Sequence, residues 1–263
     1  MPVSPSPEYR SVIVTRLRDV GCVFAEDEAE LLIGAAHTPE ELAALVERRV
    51  AGLPLEHVLG WAEFCNRRIA VDPGVFVPRR RTEFLVRQAA ALARPSAVVV
   101  DLCCGSGAVG AALAAGLGTL ALYAVDIDRA AVRCARRNLP ASAQVYVGDL
   151  YAPLPAPLQG RVDILVANAP YVPTDAIGLM PSEARLHEPQ CALDGGVDGL
   201  DVVRRIAGAA SLWLAPGGHL LVETSERQAP EVAESFAGNT LIPRVASSAE
   251  LEATVVIGTK SGP

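Results

Sequence analysis

The chain of 263 residues carries 23 Lys+Arg against 30 Asp+Glu, a formal net charge of −7, with 51% hydrophobic and 20% charged residues. That length buries a full core and leaves room for one large α/β domain plus a small extra one, and the composition excludes extended disorder away from the ends. The negative field repels phosphate backbones and disfavours a nucleic-acid partner, and no stretch approaches the ~20 apolar residues of a membrane span.

The first residues, MPVSPSPEYRSVIVTRL, lack the apolar run of about 7–15 residues that a signal peptide needs, so the expected location is the cytoplasm. Cys22, Cys65, Cys103, Cys104, Cys134 and Cys191 form no C-x-x-C pair and sit mostly among aliphatic residues. In a reducing compartment they read as small core residues, and no metal site is expected.

Along the chain, residues 7–52 read as helical: Glu8 to Val20, the acidic-led Glu26 to Ala36, and Pro39 to Ala51 with Thr38 as cap and Pro39 in the first turn. Residues 1–58 are accordingly expected to form a small helical domain. Short β-like runs follow, WAEFCN and RRIAV, ended by the turn signal Asp72-Pro73-Gly74, so residues 59–78 read as a hairpin linker. Trp61 and Phe64 are expected in its core, and His57 is expected as a helix-end contact.

After Thr82, expected to cap a helix through Ala93, strand and helix patterns alternate. Strands are predicted at 97–102, 119–125, 143–147, 162–167 and 219–224, with helices from Ala108, Asp128, Leu200 and Pro230. Asp128 is itself read as the helix cap. Such alternation implies right-handed βαβ units in a doubly wound sheet. The tail adds strands at 241–247 and 253–258 with no helix between, so one runs antiparallel. The predicted fold is thus α/β, with a mostly parallel seven-stranded sheet over residues 79–263 and the helical domain in front of it. The Pro-rich piece at 152–160 reads as a surface loop.

Between the first sheet strand and its helix lies Asp101-Leu102-Cys103-Cys104-Gly105-Ser106-Gly107. Glycines there let the backbone approach a ligand and bring the helix amino end against it. Residues 105–110, GSGAVG, also satisfy the dinucleotide G-x-G-x-x-G pattern, which alone is a weak sign. Three acids at three successive strand ends turn the reading toward S-adenosylmethionine. Asp101 is placed to meet the cofactor's ammonium group directly or through water. Asp126, followed by Ile127, offers two oxygens to the ribose hydroxyls, and Asp149 offers an acceptor to the adenine amine with Leu150 against the ring. Cys103, Gly105, Ser106, Gly107 and Asn168 complete the expected cofactor site.

The fourth strand, VDILVA, ends in Asn168-Ala169-Pro170-Tyr171. In open α/β sheets ligands sit just past the carboxyl ends of the strands. An amide nitrogen is a poor nucleophile because its lone pair is delocalised into the carbonyl. Accepting hydrogen bonds from both its N–H groups, by the Asn168 side-chain oxygen and the Ala169 carbonyl, returns density to nitrogen and aims it at a methyl group. Pro170 stiffens the turn and Tyr171 is expected to lie over the amide. Asn168 and Tyr171 are therefore the candidate catalytic residues, and the tetrapeptide is the candidate substrate grip.

These segments resemble the HemK/PrmC family of protein-glutamine methyltransferases, which modify the Gly-Gly-Gln loop of peptide-chain release factors. The resemblance covers residues 48–64, 77–86, 100–110, 124–128, NAPYVP at 168–173 and HEPQCALDGGVDGL at 187–200. It implies the class I S-adenosylmethionine-dependent methyltransferase fold, a release factor as protein partner, and a helical domain that docks it. It further implies that Asn168 to Tyr171 grip the glutamine amide and that Gly105, Gly107, Asp126 and Leu150 line the cofactor pocket. The family usually has two prolines where this chain has Ala169-Pro170. It has a proline and an acid in place of Arg80-Arg81, and glycine and threonine in place of Cys103-Cys104.

Three other readings stay open at this level. Adenine methyltransferases use a closely similar Asn-Pro-Pro-Tyr grip, so an exocyclic amine of a DNA or RNA base is the alternative acceptor. The glycine pattern alone also admits a nicotinamide oxidoreductase, and a donor-binding protein without activity is the third. His187 and Glu188 read as residues that hold the long loop in place. Arg79, Arg80 and Arg81 read either as a solvated structural cluster or as contacts for an acidic partner or the cofactor carboxylate.

Overall fold

The computed structural model describes residue 3 and residues 5–262. Four helices come first: α1 (Pro7–Asp19), α2 (Ala25–Ala35), α3 (Pro39–Val50) and the short α4 (Leu55–Leu59). Ser6 accepts from the Tyr9 N–H, and Thr38 from the Glu41 N–H at 3.1 Å, each satisfying a donor that the helix itself leaves unpaired. The apolar faces of the helices meet in a core of their own around Ile13, Leu17, Leu32, Leu42 and Val46, separate from the clusters on the sheet.

The hairpin β1 (Trp61–Phe64) and β2 (Arg67–Ala70) turns through Cys65 and Asn66, with φ of +49° and +56°. Two positive φ values at the centre of a two-residue loop match the right-handed twist of the flanking strands. Phe64 is fully buried against the sheet, as expected, whereas Trp61 is half-buried and the Arg68 guanidinium covers its ring at 4.1 Å. His57 is buried with Nε2 2.8 Å from the Val75 carbonyl oxygen.

Thr82 does not cap the next helix. A 3₁₀ turn over Arg80–Thr82 runs into α5 (Glu83–Leu92), and Thr82 sits in helical conformation with its hydroxyl turned elsewhere. Beyond α5 come β3 (Val98–Leu102), α6 (Ala108–Leu117), β4 (Ala121–Asp126), α7 (Arg129–Asn138), β5 (Gln144–Val147) and β6 (Val162–Ala167). The chain ends with α8 (Ser182–His187), α9 (Asp201–Trp213), β7 (Leu214–Thr224), α10 (Ala229–Gly238), β8 (Leu241–Ser248) and β9 (Ala253–Lys260). Asp128 caps α7 by accepting from the Ala130 N–H at 2.8 Å.

The strand order is β5-β4-β3-β6-β7-β9-β8, with β9 antiparallel to both of its neighbours. Aliphatic side chains alternate between the two faces, Val99 into one core and Val100 and Leu102 into the other, so both faces are covered. Strand β7 starts earlier than predicted. A bulge between Val162 and Ile164 lets Leu214 pair with Val162 ahead of a Pro-Gly-Gly stretch that reads locally as a turn.

The sheet register decides where the chemistry sits. From β3 the chain steps outward to β4 and β5, then returns to the other side of β3 at β6, which makes a topological switch point. Leu102 pairs with Val125 and Ala167, and Asp126 with Val147. The residues immediately past these positions therefore line up along one edge.

One ion cluster ties the helical unit to the long loop after β6. Arg49 on α3 is buried, with Nε 2.6 Å from Glu28 and Nη1 2.6 Å from Glu183 on α8. Burial alone would lower the Arg49 pKa, but the bonds to Glu28 and Glu183 outweigh it and raise it. Removing one partner of a buried pair strands the other charge, so Arg49→Ala is expected to cost about 3 kcal/mol in urea unfolding. A change within ~0.5 kcal/mol would place this cluster among ordinary surface pairs.

Candidate active site

The donor loop leaves β3 through Cys103 and Gly105, both with φ of +54°, and is fastened by two carboxylates. Asp126 does most of this work: Oδ2 accepts the Gly105 N–H at 2.8 Å and Oδ1 accepts the Asp128 N–H at 2.9 Å. Each carboxylate oxygen has two lone pairs, so the group keeps acceptor capacity for a ligand. Asp101 is buried, and its Oδ2 accepts the Gly110 N–H at 2.9 Å. Burial pushes the Asp101 carboxyl up to about 7, with the Gly110 N–H opposing and Asp126 adding. Asp126 is likewise raised by burial, against the N–H groups of Asp128 and Gly105. Two desolvated acids short of positive charge suit a ligand that brings an ammonium and hydroxyl groups. The residues present thus fit S-adenosylmethionine.

The cavity at the donor loop is lined by Cys103, Gly105, Asp126, Ile127, Asp149, Leu150, Asn168 and Pro170. A smaller adjoining one is lined by Asp101, Cys103, Gly105, Ser106 and Asn168 together with Phe76 and Thr82. Gly107 lines neither. A Cβ there would meet Ala135 at 3.1 Å and Leu139 at 3.2 Å, so this glycine brings α6 and α7 together and corrects the expected cofactor contact. Burial pushes the Cys103 and Cys104 thiols up, so neither supplies a thiolate nucleophile at neutral pH.

Asp149 already has a partner: its Oδ2 accepts from Arg205 Nη2 at 2.6 Å, and Arg205 itself lines the cavity. The sequence gives no sign of this, since Arg205 lies 56 residues further on and reaches the site from α9. Phe76 and Cys191 also line the donor-loop cavity without having been predicted there. Cys191 lies within the 187–200 segment, whereas Phe76 stands one residue ahead of the 77–86 segment.

Asn168 opens on both cavities. Its Nδ2 donates to the Thr82 hydroxyl at 3.3 Å, which fixes the amide and leaves Oδ1 as its acceptor. Buried Thr82 therefore holds the Asn168 amide and caps no helix. Ala169 is 1% exposed, its methyl packed into the sheet core.

Tyr171 departs from expectation. Its ring lines a third cavity with Arg81 and Glu223 and does not line the cavity onto which Asn168 opens. The tetrapeptide is thus a partition with Asn168 on one side and Tyr171 on the other. The Arg81 guanidinium carbon stands 5.7 Å from the Tyr171 ring centroid. Burial, with Glu223 adding, pushes the phenol up to about 12 against Arg81 and Arg79, so the hydroxyl stays neutral. The Tyr171 carbonyl accepts from Gln228 Nε2 at 3.0 Å. Gly199 closes over the same carbonyl with φ of +79°, where a Cβ would lie 2.3 Å from the oxygen. Only glycine combines that φ with so close an approach. Glu188 holds the loop as expected, accepting from the Val77 N–H at 3.1 Å and from Arg79 at 2.6 Å.

No backbone bond from the Ala169 N–H occurs among the described residues outside helices and strands. Ala169→Pro therefore sacrifices no donor and stiffens the unfolded chain. It is expected to keep turnover within about twofold and to change stability by less than about 1 kcal/mol in a thermal melt. Loss of folding would show that the Asn168 backbone here rejects a following proline.

A family model described as "Methyltransferase small domain" matches residues 66–186. The release factor glutamine methyltransferase of Geobacter sulfurreducens is 41% identical over 204 residues, covering 75% of this chain and 71% of that protein. The protein of the same name from Streptomyces coelicolor is 40% identical over 236 residues, 82% of this chain and 84% of that one. Among solved structures, a methyltransferase from Pyrococcus furiosus superposes with a TM-score of 0.55 at 15% identity, covering 73% of this chain and 88% of that chain. A 16S rRNA methyltransferase of T. thermophilus, in complex with AdoMet and guanosine, gives 0.54 at 21% identity over 76% of this chain and 49% of that one. These two likenesses establish the class I methyltransferase fold and nothing finer. The identities over most of the chain go further: this chain belongs to the release factor glutamine methyltransferase family.

Proposed function

We infer that the protein transfers a methyl group from S-adenosylmethionine to the side-chain amide nitrogen of a protein glutamine, with a peptide-chain release factor as acceptor. The observation that carries this reading is Asn168, held by Thr82 at the end of β6, opening on the same cavity as the donor loop and Asp126. When bound, S-adenosylmethionine supplies a methyl group activated by its sulfonium. Asp126 and Asp101 bind and orient the donor, and Ile127, Asp149 and Leu150 flank it.

The Asn168 Oδ1 and the Ala169 carbonyl accept the two N–H bonds of the glutamine amide, which raises electron density on nitrogen. Such positioning contributes several kcal/mol, of the kind that oriented intramolecular reactions show. The methylated nitrogen sheds its extra proton after transfer, when it is acidic, so no side-chain base is needed. Among the described residues no histidine lines any of the three cavities. Tyr171 stands on the far side of the tetrapeptide, with the Arg81 guanidinium 5.7 Å from its ring centroid, so its ring backs the grip and does not cover the amide.

In this reading residues 1–58 dock the acceptor protein, residues 59–78 link, and residues 79–263 carry the transfer. The base-amine alternative loses ground to the net charge of −7 and to relatives whose common name is release factor glutamine methyltransferase. Among the described residues no helix is long and apolar enough to cross a membrane.

The test is incubation of purified protein with tritiated donor, a purified release factor and, separately, a proteome extract, followed by mass spectrometry of labelled peptides. N5-methylglutamine in the release factor is the expected product. Label only in nucleic acid, or in no acceptor at all, would defeat the reading.

A further inference from the structure

Beyond the tetrapeptide from the donor loop lies a cavity of about 510 Å³ to which methyl transfer itself assigns no role. It is bounded by the end of β7, the turn between β8 and β9, and the ring of Tyr171. Its charged lining consists of Glu223, Glu226 and Glu252 against a single guanidinium, that of Arg81, and the rest is Tyr171, serines, threonines and two alanines.

Two of these groups point to a ligand. Glu223 is 1% exposed and Thr224 is 4% exposed, yet Thr224 Oγ1 has no hydrogen-bond partner among the described residues and Glu223 Oε2 has none of good geometry, although the Thr82 hydroxyl lies near enough to the Glu223 carboxyl to oppose its upward shift. Buried polar atoms are paired in nearly all native structures, so two adjacent exceptions on one cavity wall call for a reason. Glu223 is not loose: its other oxygen, Oε1, accepts from Arg81 Nε at 3.2 Å, which fixes where Oε2 lies. Burial raises the Glu223 carboxyl, with the Thr82 hydroxyl and Arg81 opposing but not cancelling the effect. One guanidinium stands against three carboxylates in the lining. It offers acceptor oxygens and excess carboxylate, the complement of a guanidinium or ammonium group. An anion would meet three acids and is excluded.

Because Tyr171 forms one wall, whatever enters lies next to the amide grip on the same acceptor chain. We propose that this cavity is a subsite for a cationic side chain, arginine or lysine, that neighbours the target glutamine in the acceptor protein. The proposal rests on the reading of the chain as a protein-glutamine methyltransferase and names what selects the glutamine.

The test uses the full chain with a purified release factor as acceptor and tritiated donor. Each arginine or lysine near the target glutamine is replaced in turn by glutamine, and kcat/KM is measured. One such replacement is expected to lower kcat/KM roughly tenfold with the wild-type enzyme, the scale of one charge-assisted bond. With Thr224→Val and with Glu252→Gln, the same two acceptors should differ by less than about twofold. Thr224→Val keeps the side-chain volume and deletes a hydroxyl that lacks a partner, so its melting temperature should not fall. Binding of S-adenosylhomocysteine should be unchanged in both variants, separating subsite loss from damage to the donor site. Methyl transfer that ignores every charge replacement, or a preference that survives in both variants, would overturn the subsite alone. No transfer to any glutamine would overturn the parent reading, and the subsite with it.

Discussion

Replacing Asn168 by alanine is expected to lower kcat/KM for the acceptor by on the order of a hundredfold, about 2.7 kcal/mol, while the Kd for the methyl donor stays within a few-fold. The asymmetry follows from what the side chain does. Its Nδ2 is spent on the Thr82 hydroxyl, and its Oδ1 is left as the acceptor that, in the proposed reaction, meets an amide N–H. Deleting it removes one of two bonds that both raise the nucleophile's electron density and fix its direction. The donor, which the proposed reaction places on the carboxylates of β3 and β4, loses one wall contact. Thr82→Val serves as an internal comparison, since it keeps the oxygen but releases the amide, and its loss should fall between wild type and Asn168→Ala. Steady-state methylation of a release factor, with donor binding by calorimetry, gives both numbers. Turnover within twofold of wild type would remove Asn168 from the reaction.

The second large effect is expected at Asp126, in binding rather than turnover. Asp126→Ala should raise the Kd for S-adenosylhomocysteine by roughly a hundredfold, because two bonds to an ionised carboxylate are lost at about 1.5 kcal/mol each. There is an added cost, since the Gly105 N–H loses its acceptor and the donor loop its clasp. Asp126→Asn separates the two contributions: it keeps one oxygen, and hence one clasp, while halving the acceptor set. If isothermal titration shows Asp126→Asn binding as tightly as wild type, Asp126 holds the loop and does not hold the ligand.

Much of this was legible in local sequence, for identifiable reasons. The buried strands are near-continuous aliphatic runs, and their alternation with helices dictates a parallel sheet with ligands past its carboxyl ends. Asp101, Asp126, Asp149 and Asn168 fall at strand ends because the same run that buries a strand also marks where it stops. The readings that failed were those in which a residue's neighbours along the chain differ from its neighbours in space. Thr82 has the chemistry and position of a cap, yet the preceding 3₁₀ turn carries it into helical conformation and sends its hydroxyl to Asn168, 86 residues away. Gly107 belongs to a ligand-binding pattern, but α7 packs so close that it is needed there as a spacer.

The sequence by itself determined the class of fold, the order of its elements and the inventory of chemical groups, since each depends on periodicity, turn residues and side-chain type within short windows. Only the tertiary structure decided which of those groups meet. The pairing of Leu102 with Ala167 brings Asn168 beside the donor loop, and α9 delivers Arg205 to Asp149. The turn between β8 and β9 closes the acidic cavity behind Tyr171. These contacts join segments tens of residues apart through strand register and helix packing. That register follows from burial on both faces of a seven-stranded sheet, a property of the assembled whole and of no single segment.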